Sequence, residues 1–130
     1  MPFEYAVCVP PGDAARQRLT RNLDSRVYRY NASMTFADFD AAVAARRALP
    51  AGTAPLLIAL WHDAVGDWDG AHTAAQDIDS PDGAWVHAYL HRREGDISNA
   101  HYWYRRAGRT AAGGSLDDER RAIVAGLLGR

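Results

Sequence analysis

The feature that most constrains the fold of this chain is an internal repeat. When the sequence is compared with itself at a shift of 29 residues, ALWHDAVGDWDGAH, residues 59–72, aligns with AYLHRREGDISNAH, residues 88–101. The positions that keep their residue type are Ala59 and Ala88, His62 and His91, Gly66 and Gly95, Asp67 and Asp96, Ala71 and Ala100, and His72 and His101. The same shift places ADFDAA, residues 37–42, opposite GDWDGA, residues 66–71, which indicates a third, partial copy. A repeat of this length predicts stacked units, because one unit alone cannot bury its apolar face.

Each full copy is predicted to form a helix, a tight turn and a second helix. The expected first helices cover residues 54–65 and 84–94, and the expected second helices cover residues 67–79 and 96–108. The first helices end at Gly66 and Gly95, and glycine readily adopts the left-handed conformation that closes a helix. Asp67 and Asp96 follow at once, where a carboxylate can cap the next helix by accepting a backbone N–H.

The two ends of the chain lie outside these copies. Residues 1–33 fit the repeat poorly and are interpreted as an N-terminal arm or cap, and residues 34–130 are interpreted as the helical domain. Residues 113–115, Gly-Gly-Ser, precede a last predicted helix over about residues 116–128. This helix is expected to cover the exposed end of the stack.

The repeat resembles the tetratricopeptide repeat. The matching positions are the small residues Ala59 and Ala88, the turn glycines Gly66 and Gly95, Trp68, the alanines Ala71 and Ala100, and Tyr104. The chain departs from that family at His62 and His91, where an aromatic residue is usual, at Ala75, and in its period, which in the family is about 34 residues. The resemblance implies an all-α, right-handed, TPR-like stack of helix–turn–helix repeats with a C-terminal capping helix. The segments AWVHAYLHRREGD and YWYRRAGR also resemble a group of small bacterial proteins without an assigned function.

The composition excludes several classes of protein. The formal net charge is −1 and the pI is near 6.5, whereas nucleic-acid-binding domains are usually basic, so a nucleic-acid ligand is not expected. Cys8 is the single cysteine, which excludes an intrachain disulfide and a cysteine-based zinc site. No run of about 18 apolar residues occurs, so neither a membrane span nor a membrane partner is expected. These observations favour a cytoplasmic protein.

The resemblance also implies a function, which is protein–protein interaction or scaffolding. In the tetratricopeptide family the first helices line a concave face that binds peptides. Carried over by position, His62 and His91 pack between helices near that face, and Asp63, His87 and Arg92 are candidates for contact with a protein or peptide partner. A homodimer is a second candidate assembly, because short arrays leave their end surfaces exposed.

A metal or small-molecule site is the alternative prediction. His87 and His91 are four residues apart, so both imidazoles lie on one helix face, and His62 is a candidate third ligand from the preceding copy. The chain lacks the glutamate that follows the first histidine of a zinc-protease motif, since Ala88 stands there. No glycine-rich phosphate loop and no nucleophile elbow occur, so the sequence predicts no catalytic residue and no cofactor.

Overall fold

The computed structural model describes residues 34–129, and the predicted arm or cap over residues 1–33 lies outside the described residues. Within residues 34–129 the chain is all-α, as predicted, and forms no strand. The helices are α1 (Phe36–Ala44), α2 (Pro55–Ala64), α3 (Trp68–Ala75), α4 (Pro81–Arg93), α5 (Ile97–Ala107) and α6 (Leu116–Leu128). In this part of the chain no helix combines the length and the apolarity needed to cross a bilayer.

The turns of the two full copies have the predicted local structure. Gly66 and Gly95 both have φ of +91°, a conformation that strains any residue with a Cβ. Asp67 Oδ1 accepts a hydrogen bond from the Gly70 N–H at 2.9 Å, and Asp96 Oδ1 accepts one from the Asn99 N–H at 3.3 Å. The α2–α3 and α4–α5 pairs are therefore joined by the same glycine–aspartate turn.

The start of α4 is earlier than predicted. Ser80 caps this helix by accepting the Gly83 N–H at 3.0 Å, and Pro81 occupies its first turn. Proline fits there because the first N–H groups of a helix have no intrahelical partner. Residues 81–83, which lie between the predicted helices over 67–79 and 84–94, therefore belong to α4 itself.

Helix α4 is the centre of the domain. It packs against α2, α3, α5 and α6, and every residue from Gly83 to His91 is buried. A helix that is buried on all sides brings its polar side chains into the core along with its apolar ones. Two of these polar residues are His87 and His91.

The last helix does not lie where it was predicted. Helix α6 packs across α2 and α4, the first helices of the two full copies, and also contacts α1, which corresponds to the second helix of a copy. Ile123 and Val124 are its buried apolar residues. The sequence shows the apolar side of α6 but not the surface against which this side packs. At that surface Glu119 of α6 pairs with Arg92, and Arg120 lies near Asp63.

Candidate functional site

A buried carboxylate, Asp63, lies at the contact between α6 and the helices that it covers. The Asp63 side chain is 1% exposed, and it accepts a hydrogen bond from the Tyr89 hydroxyl. Arg93 Nε lies 2.8 Å from Asp63 Oδ1, and Arg120 Nη1 of α6 lies 3.7 Å from Oδ2. Burial, with the hydrogen bond to Asp63, raises the pKa of Tyr89, so its hydroxyl remains a donor at neutral pH. Asp63 therefore has two cationic neighbours, one from α4 and one from α6.

A second buried carboxylate, Glu119, belongs to α6 itself. Arg92 Nη1 lies 2.9 Å from Glu119 Oε1, and the Tyr104 hydroxyl donates to Oε2 at 2.6 Å. Trp85 Nε1 donates to the same oxygen at 3.3 Å. Arg92 also donates to the backbone carbonyl of Gly114, just before α6. Because each carboxylate oxygen is satisfied by a residue outside α6, Glu119 fixes the position of this helix on α4 and α5.

The linker that leads into α6, residues 109–115, lies on the surface. All of its residues except Ala112 are exposed. A cavity of about 300 Å³ separates part of this linker from α6 and is lined by Trp85, Arg109 and Glu119, among others. The linker is thus a largely exposed tether for α6 that is held to the domain at three points: Arg109 lies over the Trp85 ring, Ala112 packs against the core, and the Gly114 carbonyl accepts from Arg92.

Three histidines and two tryptophans form an aromatic group on the other side of α4. We call it the ring cluster, and its members are Trp68, His72, His87, His91 and Trp103. The centroid of the His72 ring lies 5.1 Å from that of His87 and 5.4 Å from that of His91, and the rings of His87 and Trp103 stack at 4.4 Å. His87 is 1% exposed, and a backbone hydrogen bond at Gly83 opposes the effect of this burial on its pKa.

Burial keeps two of these imidazoles neutral. Desolvation, together with the neighbouring His72 and His91, lowers the pKa of His87 to about 3. Desolvation and His91 lower the pKa of His72 to about 4, although Asp69 opposes the shift. At pH 7 both rings are therefore uncharged and each carries a nitrogen lone pair.

A third group lies in the turn between α4 and α5. We call His91, Glu94 and Asp96 the turn cluster. One ligand atom from each of the three residues lies within 4.8 Å of the other two. His91 Nδ1 is 2.8 Å from Glu94 Oε2. Asp96 Oδ1 caps α5, whereas Asp96 Oδ2 is buried and has no hydrogen-bond partner.

The structure separates the residues that the sequence singled out. His62 is partly exposed at the end of α2, with Nδ1 3.0 Å from Asp67 Oδ2, and its ring meets that of Trp61 edge to face. His87 and His91 are both in the core, while Asp63 and Arg92 are in the contact with α6. The structure thus brings His87 and His91 together with His72 and not with His62.

The sequence alone does not mark several residues of these groups, among them His72, Glu94, Asp96 and Glu119. His72 stands out only as a repeated histidine, which gives no indication of its contact with His87. Glu94 and Asp96 were visible only as the residues around the turn glycine. Glu119 gave no signal at all, because nothing local distinguishes a buried glutamate on an amphipathic helix from a solvated one.

No family model matches this chain, and no curated protein or solved structure is significantly similar to it.

Proposed function

We propose that this chain is a protein–protein interaction module that binds a helical segment on the face formed by α1, α2 and α4. The chain's own α6 is the resident occupant of that face. The observation that carries the proposal is the position of α6, which lies across α2 and α4, the first helices of the two full copies, and also contacts α1. In the family that the sequence resembles, the corresponding helices form the peptide-binding face.

The contacts of α6 support recognition of a particular helix. Ile123 and Val124 are the apolar anchors of α6. Glu119 pairs with Arg92 of α4, and Arg120 pairs with Asp63 of α2. An amphipathic helix that lies in a groove is recognised in this way, with apolar anchors for affinity and charges for register. A partner helix with the same order of acidic, basic and apolar residues would satisfy the same groups.

The tether makes exchange with such a partner feasible. Residues 109–115 are largely exposed, so release of α6 would break few linker contacts, chiefly the hydrogen bond from Arg92 to the Gly114 carbonyl and the packing of Ala112. The α6 of a second copy has the required pattern by definition, and a homodimer with exchanged helices is one form that this proposal allows.

The test uses the full chain with α6 weakened from its own side. Ile123→Asp places a charge at the buried anchor of α6 and leaves α1, α2 and α4 unchanged. A fluorescently labelled synthetic peptide of residues 114–129 is then added, and its anisotropy is measured as a function of protein concentration. We expect saturable binding to the variant and at least tenfold weaker binding to the parent chain, whose face is occupied.

The matched control is Ala125→Asp, which adds the same charge at an exposed position of the same helix. This control should behave like the parent chain. Circular dichroism checks that Ile123→Asp is folded, and Ile123→Ala replaces it if it is not. A folded variant that fails to bind the peptide would show that the face does not recognise helices, and the proposed function would be lost.

A further inference from the structure

We propose that the turn cluster, His91 with Glu94 and Asp96, is a binding site for a divalent transition-metal ion of the zinc class. The site is independent of the helix-binding face, since it lies at the turn from α4 to α5. One imidazole and two carboxylates are ligands that zinc accepts.

The geometry is close to that of a bound ion. Zinc lies about 2.0–2.2 Å from nitrogen and oxygen ligands, so ligand atoms around one tetrahedral ion are roughly 3.4 Å apart. The three atoms of the turn cluster already lie within 4.8 Å of one another. His91 Nδ1 and Glu94 Oε2, which are 2.8 Å apart in a hydrogen bond, need only a small side-chain rotation to admit an ion between them.

The charge of the turn cluster also favours a cation. Arg92 and Arg93 directly follow His91 in the sequence, but Arg92 pairs with Glu119 and Arg93 pairs with Asp63. Within residues 34–129 no arginine forms an ion pair with Glu94 or Asp96, and the buried Asp96 Oδ2 has no hydrogen-bond partner. A buried carboxylate oxygen without a partner is costly, and a metal ion would satisfy it.

The first repeat copy shows what the turn needs in the absence of a metal. His62 and Asp67 occupy the positions of His91 and Asp96, and there His62 Nδ1 contacts Asp67 Oδ2 directly at 3.0 Å. The residue at the position of Glu94 in that copy is Val65. A histidine–aspartate pair is therefore enough to join the two helices. Glu94 is present only in the second copy. It forms a hydrogen bond with His91, and Asp96 Oδ2 is left without a hydrogen-bond partner.

The ring cluster is the competing location for a metal, because His72 and His87 lie next to His91. Its nitrogens converge less well. Among residues 34–129, His72, His87 and His91 do not bring one nitrogen each within the 4.8 Å that the turn cluster meets. His87 is also held between the parallel rings of His91 and Trp103. The hydrogen bond between His91 Nδ1 and Glu94 shows that this nitrogen faces the turn cluster, which favours the turn cluster as the location of the metal.

The experiment is a zinc titration of the full chain after treatment with a chelator. Isothermal titration calorimetry gives stoichiometry and affinity, and native mass spectrometry counts the bound ions. We expect one zinc ion per chain. Glu94→Val rebuilds the turn of the first copy and should weaken zinc binding at least tenfold, as should Asp96→Asn, which keeps the helix cap.

Matched variants decide between the two locations. Asp67→Asn is the counterpart of Asp96→Asn in the first copy, and it should leave zinc binding intact. Glu94→Gln, which keeps the size of the side chain, replaces Glu94→Val if that variant does not fold. Absence of zinc binding in the parent chain would overturn the proposal. So would binding that survives Glu94→Val and Asp96→Asn but is lost in His72→Ala or His87→Ala, because that pattern would place the ion in the ring cluster.

Discussion

Residue 87 shows how a single side chain can work against the stability of this fold. In the repeat alignment the residue at the same position in the first copy is Ile58. His87 is almost completely buried, and its backbone hydrogen bond at Gly83 can satisfy only one of its two ring nitrogens. A polar ring in this state is less favourable than an apolar side chain of similar size. Packing alone therefore does not explain why this position is a histidine.

The buried histidines predict loss of stability in acid. The pKa of His87 is about 3 in the folded chain, against 6.5 for a free histidine, so the unfolded chain binds a proton in this range while the folded chain does not. The contribution of neutral His87 to the free energy of unfolding is therefore fully present above pH 6.5, and it is lost as the pH drops towards 3. His72, with a pKa of about 4, acts in the same direction. Each histidine contributes up to about 1.4 kcal/mol per pH unit.

Urea denaturation at several pH values between 7.5 and 5 measures this effect. In His87→Ile, which copies the residue of the first unit, the free energy of unfolding should fall less steeply with decreasing pH. His101→Gln changes an exposed histidine and should keep the parent slope. Equal slopes for the parent chain and His87→Ile would show that His87 is protonated with a normal pKa in the folded state.

At the scale of the secondary-structure elements, α6 depends on Glu119. Glu119→Ala leaves the Arg92 guanidinium and the Tyr104 hydroxyl without their shared acceptor in a largely buried place. Removing one member of a buried ion pair typically costs about 3 kcal/mol or more. We expect a loss of that order in the free energy of unfolding. Asp118→Ala removes an exposed acid one residue away and should cost less than about 1 kcal/mol.

That difference is read from chemical denaturation of the two variants. A loss for Glu119→Ala no greater than that for Asp118→Ala would mean that α6 is held by Ile123 and Val124 alone. The polar network would then have no part in choosing where α6 packs.

The elements differ in how far the sequence predicts them. Helix α2, the glycine turns and the aspartate caps follow from local rules, because glycine, proline and aspartate act on the backbone within a few residues. The location of α6 does not, because it depends on pairs such as Arg92 with Glu119 and Asp40 with Arg121 that are far apart in sequence. The candidate sites follow the same division. The residues of the turn cluster are close together in sequence, whereas the contact of His72 with His87 requires the packing of α3 on α4.

For the domain as a unit, the length of the linker determines whether α6 can pack on α1, α2 and α4 of its own chain. Deleting Gly113 and Gly114 shortens the reach of residues 109–115 by up to about 7 Å. We expect α6 of the shortened chain to dock on a second copy. The variant should then show a dimer by light scattering and a melting temperature that rises with protein concentration.

A lengthened linker is the opposite case. Doubling residues 109–115 with glycine and serine should cost only about 0.6 kcal/mol, because loop-closure entropy grows slowly with length. This chain should keep the oligomeric state of the parent. If the shortened chain also keeps that state and its stability, then α6 is not tethered at the limit of its reach.

The place of α6 also has a consequence for synthesis. Residues 116–128 leave the ribosome after all five helices that precede them in the described part of the chain, yet they supply the Arg120 neighbour of Asp63 and the Glu119 partner of Arg92. Until then a nascent chain presents an uncovered apolar face with buried charges incompletely paired, the type of surface that chaperones bind. The polypeptide can therefore reach its final state only after translation of α6, however early the repeat units begin to fold.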